Sequence, residues 1–361
     1  MITVSKTRLP AINQYLKFLR KIWASGWVTN KGELSIRLEK KLEKHLRAKN
    51  LLVVGNGTLA LQLSFKALGL KGEVITTPFT FPATTNSLLW EGLTPIFADI
   101  NPDTFNIDPV EIEKKITKKT TAILAVHVFG NPCDVGALEK IAQKHKLKLI
   151  YDAAHAFGVE YNDKSILDWG DVSILSFHAA KVFQTAEGGA VVAKDKKIYE
   201  KIDLMRNHGI QTYDVVVTPG INAKMNELEA AMGLSIIPGL KKELTGRRKI
   251  YKEYSSAFKD GSKFKLQKLA EKLTEYNYPY FPVCFSSQAV RDRVYEVLLS
   301  NDIRARKYFY PPCHELPYLK SKIYKLPNAT AISHKILCLP LYGSLALKDV
   351  KRIIKIVLQE V

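Results

Sequence analysis

Cysteine is scarce in this chain. Its four thiols, Cys133, Cys284, Cys313 and Cys338, are widely spaced and include no Cys-x-x-Cys pair. Neither a disulfide framework nor a structural zinc site follows from such spacing. Cys313 and His314 are adjacent, which is poor spacing for chelation from one helix, so all four read as free thiols and no metal site is expected. Long hydrophobic runs are also missing: none approaches the roughly 20 residues that span a bilayer. The stretch Met1 to Pro10 has no apolar core of a signal peptide. A cytoplasmic protein with no membrane partner is the expectation. Internal repeats and low-complexity segments are absent as well. Basic side chains are in excess, with Lys+Arg 54 against Asp+Glu 35 and a formal net charge of +19. Yet no basic run is interleaved with aromatics. The lysines lie in helix-like stretches such as Glu39 to Lys49 and Lys196 to Lys201, mixed with glutamates. That pattern describes a solvated surface, so no nucleic-acid partner is expected. A positive field would also assist capture of a small anionic substrate.

What is present is alternation. Ile12, Tyr15, Leu16, Leu19, Ile22 and Trp23 recur at helical spacing, and Pro10 to Ala24 reads as an amphipathic helix. After the break at Gly26 to Gly32, Leu34, Leu38, Leu42 and Leu46 mark a second helix. Short apolar runs then alternate with helical stretches. Leu51 to Val54, Glu73 to Thr77, Pro95 to Ile100, Ile123 to Phe129, Leu147 to Tyr151, Val172 to Phe177 and Ala190 to Ala193 read as strands. Continuous apolar strands between helices indicate a parallel or mixed sheet buried on both faces. A Lys- and Arg-rich helix, about Leu240 to Phe258, carries the chain into a smaller α/β unit. In it Tyr278 to Phe285, Ile303 to Tyr308 and Ile336 to Leu341 are strand-like, and Leu347 to Leu358 is a closing helix. The domain boundary therefore falls between residues 1–240 and 241–361.

Ligands of open α/β sheets gather at the carboxyl ends of the strands, and four such ends carry suggestive residues. Gly55-Asn56-Gly57-Thr58 lies at a strand-to-helix junction, where free amides favour a phosphate, or where Thr58 caps a tight turn. Phe81, in Thr80-Phe81-Pro82-Ala83-Thr84, could stack on a flat heterocycle or pack in the core. Asp152 ends a buried strand, a costly place for an acid without a partner; a cationic ring nitrogen or a basic side chain would supply one. His155 follows three residues later and could donate to the same ligand or be a satisfied structural histidine. The fourth end is Ser176-Phe177-His178-Ala179-Ala180-Lys181, followed by Glu187-Gly188-Gly189. Ser176 can donate to a phosphate. Lys181, taken alone, is either a surface lysine on a hairpin loop or a Schiff-base amine.

Together these ends describe one ligand. Phosphate donors, an aromatic face, a carboxylate for a pyridinium and a lysine for an aldehyde fit pyridoxal 5'-phosphate. Asp152 would keep the ring nitrogen protonated, so that the ring accepts the electron pair left when a substrate Cα–H bond breaks. Lys181 would hold the aldehyde and, once displaced by an amino donor, would serve as the base of a 1,3-proton shift.

The ordered set Gly57-Thr58, Asp152-Ala153-Ala154-His155, Ser176 to Lys181 and Glu187-Gly188-Gly189 resembles the DegT/DnrJ/EryC1/StrS family of sugar aminotransferases. So do Gly26 to Asn30, Arg206-Asn207-His208-Gly209 and Asn222 to Glu227, and the likeness runs along nearly the whole chain. The resemblance implies the aspartate-aminotransferase fold of type I: a large domain with a mixed, mostly parallel seven-stranded sheet and a smaller C-terminal α/β domain. It implies that Lys181 bonds the cofactor and that Asp152 pairs with the pyridinium. Gly57, Thr58 and Ser176 would hold the phosphate, Phe81 the ring face and His155 the ring hydroxyl. Asn222 would reach the phosphate of the other subunit's cofactor, which implies a homodimer. Pyridoxamine 5'-phosphate would be the form between two half-reactions. His155 stands where the family more often has glutamine, and Ala186 where many members have glycine.

Within the family, Asp152 to Gly158 and His127 to Asp134 look most like members that aminate dTDP-4-keto-6-deoxyglucose with L-glutamate as donor, giving dTDP-4-amino-4,6-dideoxyglucose for polysaccharide or O-antigen synthesis. A 3-keto sugar is the alternative substrate. A sugar dehydratase of the same fold is the next alternative, but those relatives carry histidine where this chain has Lys181. A non-catalytic regulator would need a helix-turn-helix module, for which the chain has no spare segment.

Overall fold

The computed structural model describes residues 1–259, 261–319 and 324–361. Its centre is a seven-stranded sheet. In spatial order the strands are Leu51–Val54, Gly189–Ala193, Val172–Ser176, Lys148–Asp152, Thr120–Val126, Glu73–Thr76 and Thr94–Phe97. Gly189–Ala193 runs antiparallel to both of its neighbours, and the remaining pairs are parallel. The strands are largely apolar because each of them faces two cores; Ser173, inside Val172–Ser176, is a buried polar exception. Leu51, Val53, Ile123 and Ala125 point into one cluster, while Leu52, Val54, Ala122 and Leu124 point into the other. Parallel sheets covered on both faces have this composition.

The two amphipathic helices near the N-terminus span Ile12–Ser25 and Glu33–Leu46. The second buries Leu34, Leu38, Leu42 and Leu46 in the first core, at helical spacing. Its N-terminus has no local side-chain cap, because Gly32 stands there. Instead the Glu227 carboxylate accepts from Leu34 N at 2.7 Å and Ser35 N at 2.8 Å. A Cβ on Gly32 would lie 2.4 Å from Glu227 Cδ, so the close approach requires glycine.

The helix Leu240–Ala257 starts in the first core with Leu240 and ends in another with Ile250 and Tyr254. This further core packs an antiparallel sheet of Phe264–Leu266, Phe281–Phe285 and Ile336–Leu339 against the helices Gln288–Ser300 and Leu347–Gln359. A fourth cluster joins the units: Phe79, Phe97, Phe105 and Phe129 meet Tyr280, Phe309 and Cys338. The first residues of the chain also cross between them. Ile2–Thr3 pairs in parallel with Ile303–Arg304, Arg8 donates to Ile236 O at 2.9 Å, and Gln184 Nε2 donates to Arg8 O at 2.9 Å.

Some apolar runs continue past the end of the strand they contain. The run expected from Ile123 to Phe129 leaves the sheet at Val126 and turns through Val128–Gly130, where Phe129 has φ +55°. The run Ile303 to Tyr308 holds only a two-residue strand before its backbone turns toward Cys338. Among the described residues, no helix is long and apolar enough to cross a membrane, and no group of three potential metal ligands occurs.

Candidate active site

A cavity of about 370 Å³ opens at the carboxyl ends of the sheet strands and is closed from above by the smaller unit. Of the eight residues singled out in the sequence, seven wall it: Gly57, Thr58 and Phe81, Asp152 and His155, and Ser176 and Lys181. Asn222 does not. It is exposed, outside this cavity, with its side-chain oxygen accepting from Lys224 Nζ at 2.9 Å.

The first wall is the N-terminus of the helix Gly57–Ala67. Its cap is Asn56, whose Oδ1 accepts from Leu59 N at 2.9 Å, and not Thr58. The leading amides of a helix have no intrahelical acceptor, and their dipoles point at any anion placed before them. A Cβ on Gly57 would come within 3.2 Å of Ser176 Cβ, so the glycine leaves a hollow between the amides and the serine. Gly189 allows the hairpin strand to approach: a Cβ there would lie 2.7 Å from the Asn56 carbonyl carbon.

Asp152 is buried at the last position of Lys148–Asp152. Its Oδ2 accepts from Thr84 Oγ1 at 2.8 Å and its Oδ1 from Ala154 N at 3.1 Å. Burial raises its pKa, and these bonds and the charge of Lys181 pull it partly back. Among the described residues no cation pairs with it directly, which leaves the carboxylate aimed into the cavity as an acceptor for a further positive group.

Lys181 sits in the loop after Val172–Ser176, with its backbone N–H turned onto His178 O at 2.8 Å. The loop is closed by Phe177 N to Gly188 O at 2.8 Å and Thr185 N to Phe177 O at 2.9 Å. Ala186 has φ +69°, a left-handed conformation that glycine adopts more readily than alanine. Desolvation lowers the Lys181 pKa from 10.5 to about 8, with Asp152 acting in the opposite direction. A lysine so placed offers a neutral amine under mildly basic conditions.

His155 is fixed by its ring neighbours. It lies parallel to Phe129, at 6.2 Å between centroids, and to Phe309 at 5.9 Å, with Tyr280 edge-on at 5.1 Å. Its Nδ1 accepts from Phe129 N at 3.3 Å. The left-handed turn at Phe129 aims that amide at the ring. The proton of the neutral imidazole is therefore on Nε2. Burial, and secondarily the charge of Lys181, push the His155 pKa well below its usual value, so the ring is a neutral donor. Phe81 keeps 50% of its surface exposed beside the cavity, a free aromatic face.

The structure adds residues to this wall that sequence reasoning did not single out. Thr84 orients Asp152 and is itself 2.9 Å from Thr80 Oγ1. Ser5, Tyr280, Arg306, Tyr308 and Phe309 enter from the N-terminal strap and the smaller unit. The aromatic cluster Tyr308-Phe309-Tyr310 was the available signal, but only packing of the two units brings it to the strand ends.

Comparison with known proteins agrees with this geometry. The profile of the DegT/DnrJ/EryC1/StrS aminotransferase family matches residues 11–358. A dTDP-4-amino-4,6-dideoxy-D-glucose transaminase from Shigella dysenteriae is 42% identical over 96% of this chain and 95% of its own length. A transaminase of the same name from Escherichia coli is 38% identical over 99% of this chain and 98% of its own. Among solved structures, DesI in the presence of its TDP-sugar product superposes with a TM-score of 0.94 at 32% identity, covering 99% of this chain and 93% of that one. NtdA from Bacillus subtilis with bound PMP superposes with a TM-score of 0.89 at 27% identity, covering 97% and 81%.

Proposed function

The chain belongs to the DegT/DnrJ/EryC1/StrS aminotransferase family, and on that premise we propose that it transfers the amino group of L-glutamate to C4 of dTDP-4-keto-6-deoxyglucose. The product is dTDP-4-amino-4,6-dideoxyglucose. The two relatives that bear this product in their names match over nearly their full length, which supports the choice of sugar. The observation that carries the reading is that Asp152 and Lys181 wall one cavity, where burial lowers the Lys181 pKa to about 8 and leaves Asp152 without a cationic partner among the described residues.

The site fits pyridoxal 5'-phosphate. The hollow left by Gly57 beside Ser176 has room and donors for a phosphate. Asp152, buried without a cation in direct contact, suits a protonated ring nitrogen. When bound, this cofactor supplies an aldehyde for amine exchange and a sink for the electron pair released at the substrate carbon. The residues of the chain do the rest. Thr84 and the Ala154 amide hold Asp152 in one orientation, and its negative charge keeps a proton on the ring nitrogen. The Nε2–H of His155 would be the donor for the hydroxyl of the bound ring. Lys181 Nζ would be the amine that holds the cofactor aldehyde and, when free, the base that moves the proton between neighbouring carbons. Tyr280, Tyr308 and Phe309 cover the cavity and exclude water from these transfers.

We further take the enzyme as a homodimer. Trp27, Val28, Trp90 and Val216 are exposed apolar side chains, and Asn222 lies outside its own cavity, where it can serve a second copy.

The test is incubation of the pyridoxal-loaded enzyme with L-glutamate and a panel of dTDP- and UDP-keto sugars. Glutamate should bleach the visible absorbance of the cofactor, the 4-keto sugar should restore it, and NMR should find nitrogen at C4. Nitrogen at C3 would reject the 4-keto assignment. Full turnover by Lys181→Ala would reject the mechanism.

A further inference from the structure

Four formal charges line the cavity: Asp152, Lys181, Glu187 and Arg306. The first two are engaged by the proposed chemistry. Glu187 has a partner in His178, at 3.7 Å. Arg306 has no carboxylate partner among the described residues. It is exposed on the cavity side, whereas the buried arginines hold acids: Arg206 binds Glu39 and Asp203, Arg247 binds Glu243, and Arg291 binds Asp292. Its position is nevertheless built. Its backbone is clamped to Cys338 by Arg306 N to Cys338 O at 3.0 Å and Cys338 N to Arg306 O at 2.8 Å. Ala305 beside it is buried, and two residues before that clamp the N-terminal strand pairs with Arg304. The guanidinium carbon lies 4.3 Å from the centroid of the Tyr308 ring, and Tyr308 packs edge-on against Tyr280 at 5.5 Å. A ring under one face of a guanidinium fixes its plane and leaves the N–H donors of its edge free, which is the geometry for two parallel bonds to an oxyanion.

We propose that Arg306 is the substrate oxyanion receptor of this site, binding the carboxylate of the amino donor or the diphosphate of the sugar nucleotide. This rests on the aminotransferase reading above. Both substrates enter the same cavity in turn and both are anionic. The helix N-terminus at Gly57 is already assigned to the cofactor phosphate, and among the described residues Arg306 is the remaining Lys or Arg on the wall. It touches substrate and takes no part in proton transfer, so its removal should raise KM and leave the limiting rate near that of the parent.

The experiment compares Arg306→Gln and Arg306→Lys with the parent holoenzyme in two separate half-reactions. One follows bleaching by L-glutamate. The other follows recovery of the aminated enzyme with dTDP-4-keto-6-deoxyglucose. Arg306→Gln should raise KM by roughly 10- to 100-fold in at least one arm, with the limiting rate within about 2-fold, and Arg306→Lys should recover part of that loss. A loss in the glutamate arm identifies the carboxylate, and a loss in the sugar arm identifies the diphosphate. Equilibrium binding of glutarate and of dTDP to each loaded variant reads the same contact without turnover. If the parent protein fails to bleach with glutamate, the functional reading fails, while the binding comparison still decides the role of Arg306. Unchanged KM and unchanged binding of both probes in Arg306→Gln would overturn the proposal, as would a fall in limiting rate alone.

Discussion

At the scale of single residues, the site is a pair of opposed protonation problems. Lys181 is depressed from 10.5 to about 8 by burial, so the fold favours its neutral form. The penalty of burying its charge weighs on the apo-enzyme below about pH 8 and fades as the pH rises toward the ordinary lysine range. Capture of pyridoxal phosphate by the apo-enzyme should therefore accelerate with pH through a midpoint near 8, well below 10.5, and level off above it, as stopped-flow absorbance would record. A midpoint near 10 would contradict the buried placement. Asp152 has the opposite sign: burial raises its pKa, so its ionised form is disfavoured in the fold above that value. At pH 9, where Lys181 is neutral, apo Asp152→Asn should melt at a higher temperature than the parent. The gain should shrink on acidification, once the parent carboxyl is protonated. The same variant should lose at least about 100-fold in kcat, or some 2.7 kcal/mol of transition-state stabilisation. It should also shift the capture midpoint of Lys181 below 8, since the negative charge that raises it is gone. A variant both more stable and less active identifies strain kept for function. An Asp152→Asn protein that melts lower at pH 9 would show that its hydrogen bonds to Thr84 and Ala154 outweigh the cost of the buried charge.

At the scale of elements, chemistry that is local in sequence was legible and chemistry assembled from distant segments was not. The strands of the large sheet announced themselves because burial on both faces leaves few polar residues to blur them, as in Leu51–Val54 with all four residues buried. The four strand ends were legible for the same reason: the ends carry the first polar residues after each run. The strand Thr120–Val126 was placed three residues too late, at Ile123 to Phe129, because Val128 and Phe129 are also fully buried, and an apolar turn has no compositional mark. Arg306 and Tyr308 were missed as site residues because the strand-end residues they face across the cavity, Asp152 and Lys181, lie more than a hundred residues upstream. The cap of Glu33–Leu46 is the sharpest case. Capping signals are sought within three residues of a helix start, yet Glu227 acts from the far end of the large unit. It satisfies two amides and places a negative charge at the positive end of the helix dipole. Replacing Glu227 with Ala should cost about 2–3 kcal/mol, read as a lower urea midpoint with an unchanged slope. Glu227→Gln, which can still accept one bond, should lose about half as much. Equal stability of all three proteins would remove the carboxylate from the account of this helix.

At the scale of the whole molecule, the surface is unfinished where the proposed second copy belongs. Trp90 is 84% exposed and Tyr213 fully so, at the tip of the hairpin formed by Ile210–Thr212 and Val215–Val216. Asn222 follows that hairpin, tied by a bridge to Asn207. Single exposed apolar residues need no explanation, but a hairpin bearing Val215, Val216 and Val217 in solvent does. A two-fold partner would cover it and would bring each Asn222 to the other subunit's cavity. Sedimentation should then give a dimer, and the composition of each site can be read by mixing subunits. Lys181→Ala alone leaves no amine in either site. Asn222→Ala alone weakens both sites by removing a phosphate donor. In a mixed dimer of the two, one site carries both lesions and the other carries neither. Refolding the two variants together in equal amounts should make half of the dimers mixed, with one intact site in each, and so add about a quarter of parental activity to the residual activity of the Asn222→Ala sites. Were Asn222 to serve the site of its own chain, each site in the mixed dimer would carry one lesion and the mixture would recover nothing.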